Sequence, residues 1–195
     1  MKLTVALFLA VPLALALSQA PAATQAQKST APESFRANGQ ITGVAGGVAS
    51  AMVFQIDKYT TDADHDALVA ALTHGGNAEF LTALKKAPKV GTLTIGKTVV
   101  DIHWARTRPE GADHRRVAFA TAAPVFFAGA GAADAKPTAG YDIGVVEFTI
   151  DSVGLGSGTM APAAKVKAGG PTGVQVDDYS GKRIELTTVT RNRPK

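Results

Sequence analysis

One stretch of this chain, Thr60 to Gly91, carries convincing helical signals, and nearly all the sequence around it alternates like β-strand. Thr61 can cap a helix, with Asp64 three residues on in the place of the capping-box glutamate. Asp62, Asp64 and Asp66 fall in the first turns, where negative charge suits the positive end of the helix dipole. Leu68, Ala71 and Leu72 share a face, and Gly75-Gly76 reads as a stop. Asn77 can cap a second helix with Phe80, Leu81 and Leu84 as its apolar face, Lys85 and Lys86 in its last turn and Pro88 as its end. The spacing predicts a two-helix hairpin over 61–88. Each half is about ten residues, too short to be stable alone in water, so both must pack on the flanking strands.

Those strands announce themselves by alternation. In Ser50–Tyr59, Met52, Phe54 and Ile56 face one way and Gln55 and Asp57 the other. In Thr98–Thr107, Val100, Ile102 and Trp104 share one face, with Asp101 and His103 opposite; Arg115–Thr121 pairs back on it as an antiparallel hairpin, Val117 and Phe119 inward. In Asp142–Asp151, Val146, Phe148 and Ile150 alternate with Glu147, Thr149 and Asp151. Further strands are expected at 35–42, 90–95, 159–167, 174–179 and 183–190, with a short edge strand at Pro124–Phe127 and an Ala/Gly-rich loop at 128–140. About eight strands with frequent turns and no strand–helix–strand alternation predict a mainly β fold. The expected form is an antiparallel β-sandwich or partly open β-barrel carrying the two-helix hairpin as an insertion.

Composition bounds the chemistry. The chain of 195 residues has no cysteine, which excludes disulfides, thiolate metal sites and cysteine nucleophiles. Lys2 followed by the apolar run Leu3–Leu17 reads as a secretory signal, with cleavage expected after Ala22 in Ala20-Pro21-Ala22. Residues 1–22 are thus expected to be a signal peptide, 23–33 a flexible leader, 34–192 one domain and 193–195 a frayed tail. No later segment is apolar enough to span a membrane. The expected location is the periplasm or medium of a bacterium. Loss of Lys2 leaves one cation fewer than the 20 lysines and arginines, against 16 acids, a mild excess with no basic stripe, so nucleic acid is not an expected partner.

Candidate chemistry is sparse. Asp62-x-Asp64-x-Asp66 lacks the glycine and glutamate of a calcium loop, with Ala67 and Thr73 at those positions, so it reads as an acidic helix start. His65 and His74 match no common zinc spacing. Gly154-x-Gly156-x-Gly158 precedes Thr159-Met160-Ala161-Pro162, not a helix, and reads as a glycine-rich strand turn instead of a phosphate loop. His103 with Asp101 two residues away could form a general base and its orienting carboxylate, but no nucleophile motif accompanies them. Arg106, Arg108, Arg115 and Arg116 bracket one hairpin tip, opposed by Glu110 and Asp113. Their convergence could receive a phosphate or carboxylate, or form a solvated turn that discourages edge aggregation.

Four segments together carry a family likeness: Tyr59-Thr60-Thr61-Asp62-Ala63-Asp64-His65-Asp66-Ala67-Leu68; Leu81-x-x-Leu84-x-Lys86-x-Pro88-x-Val90-Gly91; Trp104-Ala105-Arg106; and Gly156-x-Gly158-x-Met160-Ala161-Pro162-Ala163-Ala164-Lys165. Over residues 34–192 the chain resembles a family of small exported bacterial proteins of unknown function. The resemblance implies secretion and one domain and transfers no catalytic residue. The expected role is therefore an exported non-enzymatic domain binding an apolar or amphipathic small molecule, or a protein partner, with the helices lying over one opening of the β-structure. Its candidate ligand-binding residues are His103, Arg106, Arg108, Arg115 and Arg116, and no catalytic residue, metal or cofactor is assigned. The alternatives are a hydrolase or lyase using His103 with Asp101, and an envelope component holding anionic surface polymers through the Arg106–Arg116 hairpin.

Overall fold

A computed structural model describes residues 31–41, 50–126 and 138–192. The expected signal peptide, most of the leader, the turn at 43–47, most of the 128–140 loop and the 193–195 tail lie outside the described residues. Nine strands and one helical element follow in order: β1 Glu33–Ile41, β2 Ser50–Ile56, α1 Asp62–Lys86, β3 Gly91–Ile95, β4 Thr98–Glu110, β5 His114–Thr121, β6 Ile143–Asp151, β7 Leu155–Ala168, β8 Val174–Tyr179 and β9 Ile184–Asn192. The sheet runs β6-β5-β4-β3-β2-β1-β9-β7-β8, and β6 also pairs with β7. That last pairing closes eight antiparallel strands into a barrel and leaves β8 as an added strand. The sandwich and the partly open barrel are thereby replaced by a closed barrel. Pro124–Phe126 is not a strand; Val125 donates its N–H to the Pro162 carbonyl at 2.8 Å and buries its side chain in the core.

Alternation decides which side chains enter the barrel. Phe35 and Ala37 from β1, Met52, Phe54 and Ile56 from β2, and Val117 and Phe119 from β5 all point inward. Phe35, Phe54, Phe119 and Phe148 are fully buried, and three of their ring pairs sit 5.0 to 5.9 Å apart, edge-on or stacked. An eight-stranded barrel is just wide enough for its own side chains to fill, and these rings occupy that space. Burial of each is worth roughly 1.5–3 kcal/mol.

The helical element packs on the outer wall and not over an opening. Leu68, Leu72, Phe80 and Leu84 meet the outward side chains Trp104, Ala118, Ala120, Ile143, Val145 and Ala161. Small alanines on β5 let the helix approach closely. Trp104 reaches this layer because the β4–β5 register shifts between Ile102 and Trp104. The bulge sends Ile102 into the barrel and Trp104 to the helix side, so the two do not share the face that plain alternation gives them.

The two-helix hairpin expected for 61–88 is not found. Residues 62–86 form one helical element in which only Gly76 leaves helical geometry, at φ 64° and ψ −156°. A single residue can do this because glycine has no Cβ, and nothing stands within 4 Å of where a Cβ would be. Gly75 stays helical, and no connecting loop intervenes. Asn77, expected to cap a second helix, ties the bend to the β-structure instead. Its side chain donates to the Gly140 carbonyl at 3.1 Å and accepts from the Val166 N–H at 2.9 Å. The start of the helix is as expected: the Thr61 hydroxyl oxygen accepts from the Asp64 N–H at 3.1 Å.

The glycine triplet has a packing role. Gly154 turns the chain at φ 91°, and Gly156 and Gly158 lie within β7. A Cβ at either position would overlap the β6 carbonyls of Thr149 or Glu147. These glycines let β7 lie against β6, which is the pairing that closes the barrel.

Candidate functional site: a groove on the outer wall

The candidate residues read from the sequence are not gathered in one place. On β4 and β5, Arg108 opposes Arg116 and Pro109 opposes Arg115, so Arg115 faces the barrel interior while Arg108 and Arg116 face out. Arg106 is drawn to the start of the helix, donating to the Thr60 carbonyl at 3.0 Å and to Asp62 at 2.8 Å. Arg116 bridges Glu110 and Glu147; the same bond to Arg116, with a second from Thr149, holds the Glu110 carboxyl below its usual range. Arg108 is exposed.

Arg115 closes one end of the barrel. Its guanidinium bonds both oxygens of Glu33, at 2.6 and 2.9 Å, and the Glu33 side chain is only 1% exposed. Tyr59 donates to the same carboxylate at 2.5 Å and Arg191 lies 3.0 Å from it. Burial and then the Glu33 carboxylate push the Tyr59 hydroxyl pKa up, so it stays a donor. Burial alone works against the Arg115 charge, but the bonds to Glu33 outweigh it and its pKa rises. The sequence gave no sign of this cluster, because its members come from β1, β5, β9 and the segment after β2.

His103 and Asp101 turn to different partners. Asp101 pairs with Lys89 at 2.6 Å. His103 Nδ1 lies 2.9 Å from the Ala87 carbonyl, which can only accept, so Nδ1 carries the hydrogen in this contact and Nε2 is left as an acceptor. His103 lines a cavity of about 40 Å³ with Tyr59, Thr60, Thr61, Asp64 and Pro88, large enough for water and too small for an organic substrate. His65 is buried beside Trp104, whose indole N–H donates to His65 Nδ1 at 3.1 Å. Burial, and then the positive charge of Arg106, lower the His65 pKa and keep it neutral. Among the described residues no group of three or more His, Cys, Asp or Glu is placed to hold a metal ion.

The larger concavity lies elsewhere, outside the barrel between β6, β7 and β8, with a volume of about 330 Å³. It exists because β7 is long. Its first half pairs with β6 and β9 inside the barrel; from Ala164 to Ala168 it pairs with β8 instead. The β7–β8 ribbon thus leaves the barrel wall and leans over α1, burying Val166 and Val174 against it. Tyr141 fastens the ribbon from the side by donating to Asp178 at 2.6 Å, with the Lys165 ammonium 4.4 Å from its ring centre. The angle between ribbon and wall is the groove.

Its floor and sides are mixed. Val145 and Ala161 supply apolar wall, and Tyr179 from β8 adds an aromatic ring that is 41% exposed. Glu147, Asp177, Gln175, Thr159 and Arg183 supply polar groups. The charged ones are each engaged once: Glu147 with Arg116 at 2.6 Å, Asp177 with Lys167 at 2.8 Å, and Arg183 with the Thr159 hydroxyl at 2.8 Å. Each keeps further donor or acceptor capacity. Sequence reading missed this set because its members lie on separate strands with no common spacing. No family model, curated protein or solved structure matches the chain, so the chemistry of these side chains carries the functional reading.

Proposed function

We propose that this is an exported, non-enzymatic binding domain that takes a small amphipathic molecule in the groove between β6, β7 and β8. The observation that carries the reading is the contrast between the two candidate seats. The barrel axis is occupied by Phe35, Phe54, Phe119 and Phe148, whereas the outer groove presents apolar wall, an exposed ring and polar groups of both signs. A concave site with apolar lining and a few placed polar groups is the usual form of a small-molecule seat. The four arginines support a polymer-binding role less well, since three of them already bond carboxylates within the domain. A catalytic role for His103 has one supporting observation, the Nε2 left as an acceptor, but its cavity is too small to admit a substrate.

The test is a methyl-resolved NMR titration with octyl glucoside kept below its micelle concentration. Saturable shifts at Val145, Ala161 and Val176 are expected, with the interior methyls of Leu93 and Ile150 unmoved. Saturable shifts at the interior methyls, or none anywhere, would overturn the proposal.

A further inference from the structure

We infer that the ligand of this groove is a neutral saccharide; the inference rests on the groove being the binding seat. The first ground is the balance of charge. Arg183 faces the site together with Glu147 and Asp177. A phosphate or sulfate would meet two carboxylates, and an isolated ammonium would meet a guanidinium. A bare alkyl chain would strip water from all three charged groups without replacing their hydrogen bonds, which is costly. An uncharged polyol meets none of these penalties. Its hydroxyls donate to the free carboxylate lone pairs of Glu147 and Asp177 and accept from Arg183, while the Gln175 amide can do either. Planar carboxylate, amide and guanidinium groups also suit adjacent hydroxyls, which present paired donors and acceptors at fixed separation.

The second ground is the apolar side. A sugar ring presents C–H groups on its faces, and a half-exposed tyrosine ring beside polar groups is the surface such a face can cover. Tyr179 is held there by backbone pairing with Ala164, with the ring left 41% exposed. Val145 and Ala161 extend the apolar wall. The volume of about 330 Å³ sits near the lower end of small-molecule sites, room for a short saccharide.

The experiment titrates the intact protein with maltotriose, chitotriose and dodecylphosphocholine monomer, reading groove methyl shifts. A saturable response to either trisaccharide is expected, weakened about tenfold by Tyr179→Ala and comparably by Arg183→Gln. Both side chains are exposed, so the unfolding midpoints should stay put and separate lost binding from lost folding. If the trisaccharides are silent while dodecylphosphocholine or octyl glucoside still shifts the groove, the saccharide inference is overturned and the binding reading survives. If no probe moves the groove, both are overturned together.

Discussion

Substituting Glu33 by glutamine should be among the most damaging single changes of a charged residue in this protein. The carboxylate is 1% exposed and receives Arg115 through both oxygens, Arg191 through one, and the Tyr59 hydroxyl. Removing one member of a buried pair costs about 3–5 kcal/mol, because the other charge stays in place without its counter-ion. The Arg115 and Arg191 side chains are 23% and 42% exposed, so water can relieve part of that cost. The expected loss is therefore at the lower end, about 3 kcal/mol. With a urea slope of roughly 2 kcal/mol per molar, the unfolding midpoint should fall by about 1.5 M. Arg115→Met should cost a similar amount, and the double variant should cost clearly less than the sum, a coupling of at least about 1.5 kcal/mol. A midpoint shift under about 0.5 M, with additive single effects, would place this network among ordinary surface pairs of about 0–1 kcal/mol. It would then refute the claim that the network seals the barrel end.

Three further outcomes follow from named contacts. His65 must be neutral at Nδ1 to accept from Trp104, and its folded pKa is depressed, so the unfolded chain takes up the proton first. That stability is present above the unfolded value near 6.5 and is lost as pH falls from there through the folded pKa, with Arg106 and Arg108 opposing the proton and Asp62 and Asp66 favouring it. Thermal midpoints against pH should steepen below about 6.5 and flatten in His65→Gln, with emission of the single tryptophan as readout; identical slopes would remove the contact from the account. Phe80→Ala should cost about 3–5 kcal/mol and speed hydrogen exchange along 62–86 ahead of the barrel; uniform exchange would argue that helix and barrel open together. Gly156→Ala should prevent accumulation of folded protein because its Cβ overlaps the Thr149 carbonyl, whereas Gly76→Ala, with open space but a positive φ, should cost only about 1–2 kcal/mol. Equal effects at the two glycines would contradict the close β6–β7 approach.

How far the sequence could be read depended on whether the deciding contact was local. Strand alternation in Ser50–Ile56 and Ile143–Asp151 emerged with the expected faces, and the Thr61–Asp64 cap formed, because these patterns act over a few residues. Closure depends on β1 meeting β9 and β6 meeting β7, and alternation alone does not choose between a sandwich and a barrel. The bulge at Ile102–Trp104 shows the same limit on a smaller scale. One extra residue reverses the facing of everything after it, which turned Trp104 outward and separated His103 from the face expected for it. Gly75-Gly76-Asn77 read as a loop between two helices because each residue favours an end. Contacts of Asn77 with Gly140 and Val166 decided otherwise, and neither partner is visible from 61–88.

The same distinction explains why the groove had no signature while the core did. Eight strands enclose too little space to hold both four phenylalanines and a ligand, so a sequence that alternates large apolar residues inward commits the barrel to stability. Recognition must then use outward positions. The helix already covers outward residues of β4, β5, β6 and β7. What distinguishes the remaining wall beside β6 is that β7 continues past the barrel and brings β8 with it, making a concave surface from strands that would otherwise be convex. Shortening the ribbon by deleting β8 would leave the eight-strand closure intact on its backbone pairings and remove Gln175, Asp177 and Tyr179 from the site. It would also strip Val174 from the helix layer, so binding and the anchoring of α1 are linked through one strand. A ligand bridging β6 and β8 should therefore slow hydrogen exchange in α1 as well as in the groove.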